Sequence, residues 1–460
     1  MKPPFDIPAD LDTPVSAFLK LAALRPRFLL ESVEGGERVG RYSIIGFGEA
    51  TDLKLDADGL WVDGVRRDAP ATPEALLDAL RQALAAAPRP TAPGAALPFA
   101  GGLVGAAGYD VVRRFERLPA SAAPSGFPDL SFMGTRSVFV FDHATRRAAL
   151  LHDGSEPERQ ALRRQVIDAL RGPVPARPQG GRTEAAVPTL SRDAFLDGVR
   201  AVKEHIAAGD VYQLVLSVGF EADSTVDPFE AYRALRLLNP SPYMVYLDLG
   251  EHQIVGSSPE ALVRLEGRRA TLRPIAGTRP RGADPEDDLR QERELLADPK
   301  EASEHVMLVD LARNDLGRVA VAGSVKVDPY RVIERYSHVM HIVSGVTGVL
   351  APGRDAFDLF AASFPAGTVV GAPKVRAMQI LDALEPKRRG FYAGTAGYFG
   401  HGGSMDQAIA IRMMAFSGGK VRWQAGAGIV ADSTPEAEHA EVLAKSAAIR
   451  AALELAGEGL

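Results

Sequence analysis

Apolar residues recur at helical spacing in two segments of the first 171 residues. Leu76, Leu77, Leu80 and Leu84 form one stripe within residues 71–87, and residues 155–171 are the second segment. Later in the chain, Phe195, Val199, Val202 and Ile206 predict a helix that stops at Gly209. Further helices are predicted at residues 287–297, 299–316, 356–362, 372–384 and 435–455.

A period of two indicates strands in the second half. From residue 211 on, Leu214, Leu216 and Val218 share one face, and Gln213 and Val215 share the other. Further strands are predicted at residues 254–263, 339–349, 394–400, 406–415 and 421–430. Helices and strands alternate without a βαβ rhythm, which favours an α+β fold over a doubly wound parallel sheet.

Residues 172–188 have the composition of a linker, with four prolines and several glycines in the run from Gly172 to Pro188. The sequence therefore predicts an N-terminal lobe over residues 1–171, a linker over 172–188 and a second domain over 189–460.

Composition and charge exclude several classes of protein. Of the 460 residues, 46% are hydrophobic and 24% charged, and the net charge of −6 offers no basic field for nucleic acid. The apolar run at residues 97–109 is interrupted by a proline and several glycines, so no membrane span or signal segment is predicted, and we expect a cytoplasmic protein. The absence of cysteine excludes disulfides, zinc–thiolate sites and thiol nucleophiles.

Two predicted helices carry carboxylates at i and i+3. Glu301 and Glu304 share a face of the helix that Asp298 is expected to cap. Glu438 and Glu441 share a face of a second helix, which Thr434 is expected to cap. Paired carboxylates suit a hard cation such as Mg²⁺. The alternative is that both are solvated helix faces.

Three single residues and three glycine-rich segments are further candidates. Arg412 lies in an apolar run and needs an anionic partner there. Glu260, between Pro259 and an apolar strand, is either an acid of raised pKa or a strand-edge residue facing water. His341 is either a core histidine or a catalyst. The segments 277–279, 365–373 and 426–428 suit carboxylate binding but are individually compatible with simple turns.

Read together, these segments resemble the chorismate-binding enzymes over residues 189–450. The family contains anthranilate synthase component I, aminodeoxychorismate synthase component I, and the isochorismate and salicylate synthases. The resemblance is carried by residues 209–217, 256–260, 274–282, 304–318, 364–374 and 426–429. It implies an anthranilate-synthase-like fold with large antiparallel β-sheets packed face to face and helices outside.

The resemblance also implies roles for the matching residues. Glu304 and Glu441 would bind Mg²⁺ directly, with Glu301 and Glu438 in support. Glu260 would be the general acid, and His341 would act in the elimination of pyruvate. The expected contacts to chorismate are Gly277, Thr278, Thr368, Tyr398, Arg412, Gly426, Gly428 and Lys445.

Two positions discriminate within the family. The water-adding members carry lysine where Gln213 stands, and aminodeoxychorismate synthases usually carry a nucleophilic lysine where Ala276 stands. Glutamine and alanine at these positions indicate that ammonia adds directly and that the product is anthranilate. Since this chain has no cysteine for glutamine hydrolysis, a separate glutamine amidotransferase subunit is expected to supply the ammonia.

The N-terminal part carries a Leu-Glu-Ser motif at residues 30–32 that, in anthranilate synthases, joins a Pro-Tyr-Met motif to bind inhibitory L-tryptophan. The residues expected in this feedback site are Glu31, Ser32, Arg41, Pro242, Tyr243 and Met244. The alternatives are an aminodeoxychorismate synthase component I, a catalytically inactive regulator that binds chorismate or tryptophan, and an unrelated metal hydrolase. The last leaves most of the motifs unexplained.

Overall fold

A computed structural model describes residues 4–33, 40–92, 97–119, 123–177, 180–335 and 339–460. Residues 178–179 of the predicted linker lie outside the described residues. No helix in these ranges is both long enough and apolar enough to cross a membrane.

The strands are β1 Ile7–Pro8, β2 Pro26–Glu31, β3 Tyr42–Asp56, β4 Gly59–Val62, β5 Val65–Arg67, β6 Gly102–Ala107, β7 Leu130–Asp142, β8 Arg147–His152, β9 Val187–Pro188, β10 Gln213–Asp223, β11 Tyr243–Asp248, β12 Gln253–Ser258, β13 Ala261–Glu266, β14 Arg269–Leu272, β15 Ile275–Pro280, β16 Lys326–Val327, β17 Val332–Arg335, β18 Val339–Val343, β19 Val346–Val349, β20 Gly371–Ala372, β21 Thr395–Gly400, β22 Met405–Ile409, β23 Met413–Ser417 and β24 Lys420–Ile429.

The helices are α1 Pro14–Lys20, α2 Pro73–Ala86, α3 Glu156–Arg171, α4 Arg192–Ala207, α5 Pro228–Leu238, α6 Pro285–Ala297, α7 Pro299–Gly317, α8 Ala356–Ser363, α9 Lys374–Leu384 and α10 Pro435–Glu458. Short 3₁₀ turns lie at Ala22–Leu24, Tyr109–Arg114 and Gly367–Val369. Proline at the first helical position, preceded by Thr or Asp, starts many of these helices.

Among the described residues, antiparallel pairing joins 21 strands into one continuous sheet, and we call its two halves the first and the second sheet. The first runs β1-β8-β7-β3-β2-β11-β12-β23-β24-β10, with β9 and β20 at its edge. The second runs β5-β4-β3-β7-β6-β21-β22-β13-β14-β19-β16. Strands β3 and β7 belong to both sheets, and β3 bends at an irregularity between Phe47 and Ala50 where Gly48 takes a φ of 85°.

Three packed layers of apolar side chains hold the two sheets and their helices together. Between the sheets lie Phe99, from the segment before β6, and side chains from strands of both sheets: Phe28, Val104, Val138, Val245 and Met413. Helices α1, α3, α5 and α10 cover the first sheet, and α2, α4, α7, α8 and α9 pack in the layer that includes strands of the second. A small separate sheet, β15-β18-β17, packs against α6 and α7. The predicted α+β fold with packed antiparallel sheets and outer helices is confirmed.

Three predicted strands are wrong as single strands. Residues 254–263, 339–349 and 406–415 each form two strands, interrupted at residues 259–260, 344–345 and 410–412. Both sheets are covered on both faces, so the apolar run continues while the chain leaves one sheet and joins another.

Strands from both sides of residues 172–188 pair directly. Strand β2 pairs with β11, and β6 pairs with β21, so the predicted N-terminal lobe shares both sheets with the rest of the chain. Strand β9, inside the predicted linker, pairs with β10. The boundary at 172–188 stays a prediction from composition.

Candidate functional site

Glu260 lies where the chain passes from the first sheet to the second. Strand β12 ends at Ser258, and β13 starts at Ala261. The Ser258 hydroxyl, fully buried, donates to the carbonyl of Ile409 at 2.7 Å and to that of Glu260 at 3.2 Å. The Ile409 amide donates to the Glu260 carbonyl at 2.9 Å. The backbone on both sides of the Glu260 carboxyl is thereby held at the junction between the sheets.

The surroundings of Glu260 favour its protonated form. Burial raises the pKa of its carboxyl to about 7, against the opposing effects of a hydrogen bond from Thr368 and of the charges of Lys445 and Arg412. The Thr368 hydroxyl donates to Glu260 Oε1 at 3.0 Å. A carboxyl with this pKa holds a proton near neutral pH and can donate it to a leaving group.

Arg412 lies at the second passage between the sheets. We expected it inside an apolar strand, and this is wrong. Strand β22 ends at Ile409, β23 begins at Met413, and Arg412 is exposed with a left-handed φ of 52°. Its carbonyl accepts from the Ser257 amide at 3.0 Å, which ties this bend to the end of β12 beside Glu260. Such a backbone conformation costs a non-glycine residue about 1 kcal/mol or more and is characteristic of functional sites.

Helix α10 brings a cation and two carboxylates to the same region. Lys445 Nζ donates to the carbonyl of Gly426 at 3.1 Å and contacts Glu441 Oε1 at 2.6 Å. Glu438 is only 9% exposed, and its Oε2 is buried with no hydrogen-bond partner among the described residues. Burial and the charge of Glu441 raise the pKa of Glu438. Thr434 precedes the helix, but its side chain makes no capping hydrogen bond, contrary to our expectation of a cap.

Helix α7 presents the other two glutamates. Asp298 caps it as expected, accepting from the Lys300 amide at 2.9 Å. Burial raises the pKa of Glu304, and the charges of Glu301, Asp298 and Glu438 raise it further. Glu301 is paired with Arg279, whose Nη1 lies 3.1 Å from Glu301 Oε1.

The four glutamates are not drawn together into a preformed coordination sphere. Within the described ranges, no group of three or more His, Asp or Glu is close enough to hold a metal ion. The charge of Glu438 on α10 nevertheless raises the pKa of Glu304 on α7, and one buried oxygen of Glu438 makes no hydrogen bond to a described residue. Hard, partly desolvated oxygen donors of this kind fit a cation such as Mg²⁺.

The small sheet carries His341, Gly277 and Thr278. His341 Nδ1 lies 3.0 Å from Thr278 Oγ1 and 3.2 Å from the carbonyl of Gly277. Because a carbonyl can only accept, the second contact needs a proton on Nδ1 and leaves Nε2 of the neutral ring as an acceptor. A Cβ on Gly277, whose φ is 71°, would lie 3.1 Å from Glu301 Oε2, so this sheet packs directly against α7.

Gln213, Gly426 and Gly428 lie on the paired strands β10 and β24. A Cβ on Gly428 would lie 2.7 Å from Gln213 Nε2, and a Cβ on Gly426 would lie 2.7 Å from the hydroxyl oxygen of Tyr392. Each glycine therefore leaves room for a polar side chain that a larger residue would displace.

Tyr392 was missed by the sequence analysis. Burial raises the pKa of its phenol to about 12, which keeps it protonated beside Gly426. A single tyrosine after Gly390 and Phe391 has no periodicity to single it out, and only the approach of its ring to β24 reveals it.

Tyr398, which we expected at the substrate, has a different set of neighbours. Its ring lies 4.8 Å from that of Phe99, and its hydroxyl donates to the Pro98 carbonyl at 3.4 Å. In the pairing of β21 with β22, Asp406 is directly opposite it. These contacts are in the layer between the sheets. Its role in substrate binding stays a prediction.

The residues expected to bind tryptophan meet at the pairing of β2 with β11. Glu31 is directly opposite Met244, and the Val33 amide donates to the Ser241 carbonyl at 3.1 Å, beside Pro242. The Ser32 hydroxyl is buried and makes no hydrogen bond to any other described residue. Met244 is fully buried, with the Ser241 hydroxyl 3.6 Å from its sulfur.

Charged partners surround this cluster. Glu31 is buried and accepts from Arg236 Nε at 2.9 Å and from the Tyr232 hydroxyl. Arg41 instead forms a two-pronged pair with Asp142, both contacts being 3.0 Å. The hydroxyl of Tyr243 donates to Asp406 Oδ1 at 3.1 Å. The structure thus gathers Glu31, Ser32, Pro242 and Met244, whereas Arg41 and Tyr243 hydrogen-bond to other partners.

Comparison with known proteins agrees with this geometry. The model of the chorismate binding enzyme family matches residues 25–451, so the chain belongs to the chorismate-binding enzymes. Within the family it is similar to anthranilate synthase component 1 of Thermus thermophilus, with 48% identity over 458 residues that cover 98% of this chain and 97% of that protein.

Two further relatives carry the same name. Anthranilate synthase component 1 of Pseudomonas aeruginosa is 45% identical, over 99% of this chain and 96% of that protein. The crystal structure of anthranilate synthase component I from Streptococcus pneumoniae superposes with a TM-score of 0.81 at 36% identity, covering 89% of this chain and 92% of that chain.

Proposed function

We propose that this chain is the synthase subunit of an anthranilate synthase, converting chorismate and ammonia to anthranilate and pyruvate, the first committed step of tryptophan biosynthesis. The observation that carries the proposal is the position of Glu260. A carboxyl with a pKa of about 7 lies at the junction of the two sheets, within the fields of Arg412 and Lys445. An acid near two cations suits a dianionic substrate that must lose a hydroxyl.

In the first step, ammonia adds to the ring while Glu260 donates its proton to the departing hydroxyl, which leaves as water. The nitrogen loses a proton, and the product is an aminodeoxyisochorismate. In the second step, the ring loses a proton and the enolpyruvyl group leaves as pyruvate, which makes the ring aromatic. His341, with Nε2 as acceptor, is the group we assign to this elimination.

Glu304 and Glu441 would hold Mg²⁺, with Glu301 and Glu438 in support. When bound, Mg²⁺ would supply positive charge against the ring carboxylate of chorismate. Arg412 would pair with the other carboxylate. Thr368, Gly277, Thr278, Gly426, Gly428, Tyr398 and Lys445 are the remaining proposed contacts to chorismate, and Tyr392 joins them because of its hydroxyl beside Gly426.

The choice of nucleophile follows from Gln213 and Ala276. Glutamine cannot act as a base for water at neutral pH, and alanine cannot attack the ring, so ammonia is the reagent these positions allow. The chain has no cysteine to hydrolyse glutamine, so we propose a separate glutamine amidotransferase as its partner. The name component 1, carried by the relatives, is consistent with a second component.

We further propose inhibition by L-tryptophan at the cluster of Glu31, Ser32, Arg41, Pro242, Tyr243 and Met244. The Ser32 hydroxyl, which is buried and makes no hydrogen bond to another described residue, and the carboxylate of Glu31 are the polar groups that a bound amino acid would engage. The cytoplasm remains the expected location.

The test is to incubate the purified chain with chorismate, Mg²⁺ and ammonium at mildly alkaline pH. We expect anthranilate, followed by its fluorescence and identified by mass and retention time. The product should be lost with EDTA and absent without ammonium. An aminodeoxychorismate product would assign the chain to the alternative synthase, and binding of chorismate without turnover would indicate an inactive regulator.

A further inference from the structure

A buried ion pair lies beneath the proposed site and is not among its substrate contacts. Arg389 and Glu385 have side chains only 1% and 7% exposed. Arg389 Nε and Nη2 each lie 2.7 Å from one oxygen of the Glu385 carboxylate, a two-pronged geometry. Burying two charges is costly, so a pair in this position must satisfy every remaining hydrogen-bonding group.

The remaining donors of Arg389 reach two elements of the site. Nη1 donates to the carbonyl of Val369 at 2.8 Å, in the 3₁₀ turn that carries Thr368. Nη2 donates to the carbonyl of Val215 at 2.8 Å, on β10 two residues after Gln213. One guanidinium thus spans the turn and the strand.

The same guanidinium also contacts a third element. Its carbon lies 5.5 Å from the centre of the Tyr392 ring, whose hydroxyl approaches Gly426, and 4.9 Å from that of Tyr109. Glu385 Oε1 accepts from the Ser217 amide at 3.0 Å and from its hydroxyl at 2.5 Å, which fixes the carboxylate to β10.

We infer that Arg389, held by Glu385, is a positioning residue for the general acid. By bonding the Val369 carbonyl, it places the neighbouring Thr368 hydroxyl on the Glu260 carboxyl and so sets the pH at which that acid ionises. A planar fork is needed, because a single lysine amine cannot bridge Glu385, Val215 and Val369 together. This inference rests on the proposed function.

The test compares Arg389→Lys with Thr368→Val, using the pH profile of kcat/KM for chorismate at a fixed concentration of unprotonated ammonia. A hydrogen bond donated to a carboxyl favours its charged form, so loss of the Thr368 contact raises the pKa of Glu260. Both variants should move the alkaline limb upward by about one pH unit. The double variant should move it no further than Thr368→Val alone.

Arg159→Lys is the matched control. Arg159 is also buried and pairs with Glu156 at 2.7 Å, but it belongs to α3 on the outside of the first sheet. This variant should lose thermal stability while its alkaline limb stays at the wild-type pH. A merely structural role for Arg389 would give the same result as this control.

The inference is overturned if a folded Arg389→Lys variant has the alkaline limb of the wild type. It is also overturned if the double variant shows the sum of the two single pH shifts. If Arg389→Lys does not fold, Ser217→Ala takes its place. It removes one hydrogen bond to Glu385 and keeps both charges of the pair, so its alkaline limb should also move to higher pH, by less than in Thr368→Val. A wild-type chain that makes no anthranilate would refute the proposed function instead.

Discussion

Replacing Glu260 by glutamine should lower activity and raise stability at the same time. The folded protein holds this carboxyl at a pKa of about 7, against 4.5 for an exposed glutamate, mainly because burial disfavours the charge. Since the unfolded chain releases the proton at lower pH than the folded protein, stability falls as pH rises from about 4.5 to 7 and stays reduced above pH 7. The difference corresponds to about 3 kcal/mol at 1.36 kcal/mol per pH unit.

Glu260→Gln removes this cost and also removes the acid. At pH 8.5 its melting temperature should exceed that of the wild type by about 3 °C, given the unfolding entropy expected for 460 residues. Near pH 4.5 the two should melt together. The rate of anthranilate formation should fall by about 10²- to 10⁴-fold, the usual contribution of a positioned general acid.

Thermal unfolding followed by circular dichroism between pH 4.5 and 9 measures the first effect, and the fluorescence assay measures the second. Glu454→Gln, on the exposed side of α10, is the control and should change neither. A Glu260→Gln protein that melts no higher than the wild type at pH 8.5 would show that the carboxyl carries no desolvation cost, and the assignment of Glu260 as an acid held protonated by burial would fail.

Four other substitutions test the remaining parts of the site. Glu438→Gln or Glu441→Gln should raise the Mg²⁺ concentration for half-maximal activity at least about tenfold, and an unchanged titration would exclude these ligands. Gly428→Ala places a methyl group 2.7 Å from Gln213 Nε2 and should raise KM for chorismate about tenfold; a wild-type KM would mean that Gln213 has room to move. Ser32→Ala should raise the tryptophan concentration for half inhibition about tenfold through loss of one hydrogen bond, and an unaltered inhibition curve would remove Ser32 from the effector site.

Much of the fold could be predicted where local rules and packing agree. Helix α7 starts at the predicted cap, Asp298, because its carboxylate accepts from the free amides of the first turn. Leu214, Leu216 and Val218, predicted to share one face of β10, lie in the same apolar layer. The interruptions at residues 259–260 and 410–412 could not be predicted, because apolar side chains continue on both sides of each passage between the sheets.

In the site, too, some residues could be predicted from the sequence and others could not. Motif order indicated Glu260 and the four glutamates, but no local pattern distinguishes Tyr392 or the Arg389–Glu385 pair from ordinary polar residues. Tyr392 is placed by its approach to Gly426, and Arg389 by its hydrogen bonds to the carbonyls of Val215 and Val369. None of these contacts is between neighbours in the sequence. Tyr398 illustrates the converse, since its place in a motif does not reveal the Phe99 ring on which it packs.

Because the chain crosses between the two sheets at the proposed active site, the angle between the sheets bears on the geometry of the reacting groups. Glu260 and Arg412 each occupy one passage, so a tilt of one sheet against the other would act on the two segments that carry the proton donor and the cation. The bend in β3 near Gly48 lies in a strand common to both sheets, where such a tilt would be absorbed. Glu31 and Met244 lie on the first sheet alone, so an effector bound beside them would act on the reaction through the angle between the sheets and not through contact with the substrate.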